Sequence, residues 1–419
     1  MAAPAFFPAT WSKERRLVGE ILAADWSVGA KRVWDKALFR DIDWSKIPKL
    51  AWQYKIRPMT AAALREAGWP GVPAEIRAAL EAAEKRCCEK TMWQLKLLAA
   101  LAAEAERRGI RLIVMKGVAL SIRLYGNPFI REAFDLDLLI DPGEETRFHE
   151  ILRAQGCRVT ASRPRLTPRQ TAILRRYHHD RGFLHLPSGM KIESHHKLSS
   201  NRHLIGTDFE ALWSARETVP LTGSSVTVMG EEDLVHYLIV HAARHGWERW
   251  KWVADLIVLG RKADAARLSL WRQRAVREGN ADIFDSWLLL SAAVASCPLP
   301  RQAFEAAARN RRACALAKRA LDMSGGDRSL AEISSLAYML KMRIYRLRLK
   351  RTIRYLVTEL AALMHRDQDW YTLRLPDRFI WLYYVLRPLL LVWRRGCVPL
   401  AAILGKSAAK PRASGADEA

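Results

Sequence analysis

RLIVMKGVALSIRLYGNPFIREAFDLDLLID, residues 111–141, decides how the chain is read. An apolar run from Leu112 to Met115 ends at Lys116-Gly117. A helical segment follows from Val118 to about Tyr125 and breaks at Gly126-Asn127-Pro128. After Arg131 a second apolar run carries Asp135 and Asp137 at alternate positions. Side chains two apart on a strand point to the same face. Two carboxylates held side by side repel each other unless a cation sits between them, and hard divalent ions take oxygen ligands that substrate phosphates complete. Neutralising both acids is therefore expected to raise stability slightly when no metal is bound. An isolated Asp-x-Asp is more often the solvated face of an edge strand. Here strand, glycine turn, helix and arginine precede it in order, and that context favours a metal site.

Those residues carry a resemblance. Lys116-Gly117, Leu120, Tyr125-Gly126, Arg131 and the Asp135/Asp137 pair resemble the uncharacterised nucleotidyltransferases of the polymerase-beta superfamily, the type-5 NTP transferases. The likeness continues through Ile192-Glu193-Ser194-His195, and from His241 and His245 to Trp252 and Asp255, covering about residues 45 to 262. It implies a metal-dependent transfer of a nucleoside monophosphate from an NTP to an acceptor hydroxyl, with Mg²⁺ or Mn²⁺ as cofactor. Asp135 and Asp137 would hold the metals, and Glu193 would complete the site as its third carboxylate and help to deprotonate the acceptor. Backbone N–H groups after Gly117 would contact phosphate oxygens at a helix start. Lys116 and Arg131 would neutralise charge moving to the pyrophosphate, although Lys116 can also end a strand in solvent and Arg131 can brace the acids. The superfamily's common pattern has Gly-Ser after the first strand; this sequence has Gly117-Val118, with 18 positions (135 − 117) from the glycine to the first aspartate.

Outward from this stretch, 419 residues suffice for two or three domains and a sizeable core. The balance of 68 basic to 44 acidic residues, net +24, attracts polyanions: nucleotides, nucleic acid or an anionic membrane surface. A general enrichment in Arg and Ala would produce the same excess, so charge alone does not establish nucleic-acid binding. The six cysteines are scattered with no Cys-x-x-Cys, which indicates neither a zinc knuckle nor a disulfide framework. MAAPAFFPATWSKERR at the start lacks the ordered segments of a signal peptide. The expectation is a reduced, cytoplasmic protein.

Fold class is read as α+β, a small mixed sheet enclosed by helical regions. The expected divisions are an N-terminal helical region (1–108), the nucleotidyltransferase-like core (109–230), a C-terminal helical region (231–365), apolar and basic helices (366–405) and a disordered tail (406–419). The Ala-rich stretch Glu75 to Arg107 favours helix, and Gly109 stops it. Thr167-Pro168-Arg169-Gln170 has the signature of a helix start, with the helix running to about Asp180. Gly182 to Leu186 and Met190 to His196, joined by Pro187-Ser188-Gly189, read as a hairpin, as does Thr218 to Met229 around Gly223-Ser224. On the strand from Met190, Lys191, Glu193 and His195 share one face. His241 and His245 lie four apart, a spacing that can bind zinc, but Ala242 stands where a His-Glu-x-x-His motif has its glutamate. They are expected to fasten a helical bundle to the sheet or to line the nucleotide cleft.

Residues 341 to 354, KMRIYRLRLKRTIR, contain no acid and read as a basic amphipathic helix that faces either phosphates or anionic lipid, or simply water. Phe379 to Trp393 is strongly apolar but short for a membrane span, with Arg387-Pro388 in its middle. The expected partners are an NTP and an acceptor that is a small molecule, a peptide or protein, or RNA, with peripheral contact to an anionic membrane and no transmembrane span. Two rival readings are a nucleotide- or RNA-binding protein of reduced activity, suggested by Val118, and a membrane-surface assembly protein working through residues 341 to 395.

Overall fold

The computed structural model describes residues 11–160, 166–221, 223–295, 300–324, 335–365, 367–387, 389–390 and 393. Seven strands form one mixed sheet: β1 (Leu112–Val114), β2 (Asp135–Ile140), β3 (Cys157–Val159), β4 (Asp180–His185), β5 (Met190–His195), β6 (Glu217–Leu221) and β7 (Ser224–Val228). Their order is β3-β4-β5-β2-β1-β7-β6. β2 runs antiparallel to β1 and parallel to β5, and β1 runs parallel to β7. The fold is α+β, as the alternation of strand and helix signals predicts.

β1 and β2 are nearly continuous apolar runs because they sit centrally, with both faces covered. Leu136, Leu138 and Ile140 of β2 join Leu97, Leu98 and Leu101 of the helix Ala74–Arg107 and Phe148, Ile151 and Leu152 of the helix Glu145–Ala154 in one buried cluster. Leu139, one residue out of phase, belongs to a second cluster built largely from the helices Lys13–Ala23, Glu231–Arg244, Lys251–Lys262 and Ala281–Ala295. Asp135 and Asp137 share Leu139's phase, so they point to the face that this helical layer covers. The helix Glu231–Arg244 starts with Glu231, Glu232 and Asp233, where the macrodipole favours negative charge.

The chain divides into two compact units, Met1–Ser162 with His179–Leu356, and Arg163–His178 with Val357–Ala419. The first holds the sheet together with its helices on both sides in sequence. In the second, the helix Pro168–Tyr177 starts with the expected Thr167 cap and a reciprocal Gln170 contact. Leu174 packs there with Trp370, Ile380 and Tyr383, and Thr167 Oγ1 donates to Asp377 Oδ1 at 2.7 Å. A segment between β3 and β4 is thus joined to residues about two hundred positions later (|i−j| = 210 for Thr167 and Asp377).

The basic stretch 341–354 is not one helix. It comprises the end of the helix Leu336–Leu347, a turn, and the start of the helix Ile353–Met364. Lys350 is buried in that turn, and its ammonium donates to the carbonyls of His203 (2.6 Å), Glu278 (2.6 Å) and Leu204 (3.2 Å). Glu278 closes the helix Ala265–Arg277, and a cation at a helix C-terminus is favourable. Arg346 Nε donates to the Arg244 carbonyl at 2.9 Å. Two of the expected solvated charges therefore tie the segment to the body of the protein. No helix among the described residues is long and apolar enough to cross a membrane. The tail 406–419 and part of the apolar run 379–393 lie outside the described residues.

Candidate active site

Gly117 turns the chain from β1 into the helix Val118–Tyr125 with φ +75°, a left-handed conformation that favours glycine. A Cβ there would lie 3.3 Å from the Asp135 carbonyl, so β2 also requires the missing side chain. No side chain caps this helix, which leaves its first N–H groups without a capping partner. Val118 packs into the apolar cluster under the sheet. Its side chain therefore makes no polar contact where the superfamily pattern has serine.

The parallel register of β2 and β5 sets Asp137 opposite Glu193 and Leu139 opposite His195. This pairing brings three donors together. One ligand atom from each of Asp137, Glu193 and His195 lies within 4.8 Å of the others. His195 Nε2 is 3.4 Å from Asp137 Oδ1 and 3.3 Å from Glu193 Oε2. Lys116 Nζ, reaching over from the end of β1, is 3.0 Å from Asp137 Oδ1 and 3.5 Å from His241 Nε2. The Asp137 and His195 side chains are 2% and 3% exposed, whereas Glu193 is 40% exposed and forms the solvent side of the group.

Burial disfavours the Asp137 carboxylate, but Lys116 and His195 beside it outweigh that and hold its pKa well below the ordinary value. For Lys116, burial favours the neutral amine; the Asp137 carboxylate first, with the Tyr237 phenol and the Asp135 carboxylate, overcomes it and raises the pKa. His195 is likewise opposed by burial, yet Asp137 and Glu193 raise it to about 9. His179, His241 and His245 stand around the same charges, and burial together with neighbouring cations pushes all three well below the usual imidazole value. His241 meets the edge of the Trp252 ring, with 5.1 Å between ring centroids. The pair predicted from i, i+4 spacing thus lines the site as neutral imidazoles.

The donors fit a divalent cation. Asp137 Oδ1 and His195 Nε2 are engaged by ion-pair contacts within the group, whereas the other ring nitrogen, His195 Nδ1, is buried without a hydrogen-bond partner among the described residues. Buried polar atoms of this kind are costly unless something binds them. Two carboxylates and an imidazole form a mixed oxygen and nitrogen donor set of the kind that can hold a divalent cation.

The model of a family described as uncharacterised nucleotidyltransferase matches residues 40–295, more than half of the chain. The chain belongs to this family. No curated protein and no solved structure matches it. Membership of a nucleotidyltransferase family supports a general role in nucleotidyl transfer, and the matched span contains the whole sheet and the donor group.

Within this nucleotidyltransferase the remaining predicted residues fall into different places. Asp135 is half-buried and outside the three-donor group, in the field of Lys116, Arg131 and Lys251. Its carbonyl accepts from Gln94 Nε2 at 3.4 Å. Arg131, expected to face pyrophosphate, is buried against Asp255, with Nε 2.8 and 2.9 Å from the two carboxylate oxygens. Tyr125 donates to the same carboxylate at 3.1 Å. The acid that this guanidinium meets is Asp255, on the helix Lys251–Lys262. Sequence reasoning put His195 on Glu193's face without giving it a role, and period-two extension from Glu193 was the signal available. It missed Lys251, a buried lysine donating to the Glu132 carbonyl at 3.1 Å, whose pKa burial and Arg131 lower to about 7. No spacing announces that residue.

Proposed function

We propose that the chain transfers a nucleoside monophosphate from an NTP to an acceptor hydroxyl and releases pyrophosphate. The observation that carries this reading is the convergence of Asp137, Glu193 and His195 beside an uncapped glycine-turn helix in a nucleotidyltransferase sheet. A divalent cation held by these three side chains would neutralise triphosphate oxygens and acidify the acceptor hydroxyl. The acceptor oxygen forms a bond to the α-phosphorus, the bond from that phosphorus to the β-bridging oxygen breaks, and the electron pair leaves with pyrophosphate. Glu193, the exposed member, accepts the hydroxyl proton. Free N–H groups after Gly117 receive phosphate oxygens. Lys116, kept charged by its neighbours, favours the polyanion, as does Asp135's cationic surround. The acceptor is a small molecule, a peptide or protein, or RNA.

Val118 favours one competing reading, a family member that binds NTP without turnover, since the phosphate-contacting hydroxyl is replaced by a core side chain. Pyrophosphate release by the wild-type protein separates the two, and Glu193→Gln tests the site. The substitution should lower pyrophosphate release at saturating NTP by about a hundred-fold, the scale of lost proton transfer, with a much smaller change in NTP affinity. Collapse of NTP binding with normal turnover at saturation would make Glu193 a binding residue instead.

A further inference from the structure

Two adjoining cavities open around the turn between the helices Leu336–Leu347 and Ile353–Met364, and neither includes a member of the donor group. The larger, about 540 Å³, is lined by Arg312, Arg319, Arg348, Lys350 and Arg351 together with alanine and leucine side chains, and its lining holds no carboxylate among the described residues. The smaller, about 380 Å³, shares Arg312, Lys350 and Arg351 and adds Arg354. Its acids are Glu278 and Asp282, and Asp282 is paired with Arg312 at 2.8 Å.

The cations differ in how they are engaged. Lys350 is bound to three carbonyls, and Arg312 is held by Asp282 and by the Arg348 carbonyl at 3.1 Å. These two shape the turn. Among the described residues, no carboxylate pairs with Arg319, Arg348, Arg351 or Arg354. Elsewhere in this chain arginines commonly find acids, for example Arg272 with Asp285 and Arg274 with Asp233. Arg319 donates to the Ala315 carbonyl at 3.4 Å but meets no carboxylate among the described residues. Arg319, Arg348 and Arg351 gather around the larger cavity, whose described lining holds no acid, and such guanidiniums repel one another unless an anion joins them. Guanidinium forks match phosphate oxygens in particular.

We propose that Arg319, Arg348, Arg351 and Arg354 form a binding site for adjacent phosphate groups, separate from the candidate catalytic centre. The larger cavity has room for more than one phosphate. Among the described residues no Phe, Tyr or Trp lines either cavity and His203 is the one ring, so guanidinium contacts to phosphates dominate over stacking of bases. Such groups come either from a free oligophosphate or from the backbone of an RNA. A concave site suits both better than it suits a flat lipid surface. Arg346, the residue before Leu347 of the larger cavity, donates to the Arg244 carbonyl, and Arg244 Nη1 donates to Ser199 Oγ at 2.7 Å. The phosphate site is thus connected through one helix to the histidine wall of the catalytic centre.

The test uses the full chain in EDTA, so that no divalent cation holds a triphosphate at the donor group. Binding of inorganic tripolyphosphate is followed by calorimetry, and binding of a 5′-hydroxyl RNA hairpin by fluorescence anisotropy at several salt concentrations. The wild-type protein should bind at least one of the two probes at low salt. Arg319→Gln, Arg348→Gln and Arg351→Gln together should weaken that binding by about ten-fold or more. For RNA the slope of log K against log salt should flatten by about 2, at roughly 0.7 per lost contact. Tripolyphosphate binding that displaces RNA identifies free oligophosphate as a sufficient ligand; RNA binding without tripolyphosphate binding identifies the backbone. Arg351→Gln alone, at an exposed turn residue, should act in the same direction and serves if the triple variant does not fold. The control is Arg309→Gln, Arg311→Gln and Lys318→Gln, which removes the same charge from exposed residues that line neither cavity. Equal weakening by the control, unchanged binding by the cavity variants, or no binding of either probe by the wild type overturns the proposal.

Discussion

Asp137→Asn should abolish nucleotidyl transfer and also lower the melting temperature of the metal-free protein. The first effect follows from removing the carboxylate that His195 and Lys116 both face. The second runs against the expectation from sequence, in which two aspartates on one strand face repel and neutralisation brings relief. In the fold Asp137 is the buried anion between two cations, and Asp135 shares the field of Lys116 with Arg131 and Lys251 nearby. Asn leaves the Lys116 ammonium buried without its close counter-charge. Breaking a buried pair by removing one partner costs about 3–5 kcal/mol, which should appear as a drop of several degrees. Lys116→Met added to Asp137→Asn should recover much of the lost stability and none of the activity. A higher melting temperature for Asp137→Asn would mean that carboxylate repulsion dominates after all.

Arg131→Met should be mainly a folding defect. Its guanidinium is 2% exposed, Asp255 is fully buried, and among the described residues Tyr125 supplies the other contact to that carboxylate. Without Arg131 the acid is left with one hydroxyl, and the cost is again about 3–5 kcal/mol. Arg131→Met combined with Asp255→Leu should restore part of the loss, because replacing both buried charges by apolar groups is often close to neutral. Chemical denaturation of the three variants measures this directly. The KM for NTP of the folded Arg131→Met protein should stay near that of the wild type. A large rise in KM with unaltered stability would place Arg131 on the substrate.

These two residues show where the sequence is legible and where it stops. Alternation along β2 fixes which side chains share a face, and the glycine at 117 announces the turn into the helix; both are local and readable. The hairpins at Pro187 to Gly189 and at Gly223 announce themselves through turn chemistry in the same way. Which residue meets which across the sheet is non-local. His195 reaches Asp137 only because β5 lies parallel to β2 with Glu193 opposite Asp137, and no spacing in the chain encodes that register. Arg131 and Asp255 are 124 positions apart, so the guanidinium's partner could not be read from the motif around it. Lys350 is a similar case: periodicity made it one more charge on a basic helix, whereas the chain breaks there and the ammonium is drawn inward by three carbonyls. Period and composition specify faces, and tertiary pairing decides what those faces hold.

The central claim is tested most directly by incubating the full-length protein with each α-labelled NTP and Mg²⁺ or Mn²⁺ in a cell extract and tracing the label. Transfer should place the label on one class of acceptor with release of pyrophosphate, should stop in EDTA, and should be absent with Asp137→Asn. NTP binding with no label transferred under any metal, or equal transfer by the Asp137→Asn protein, would contradict it.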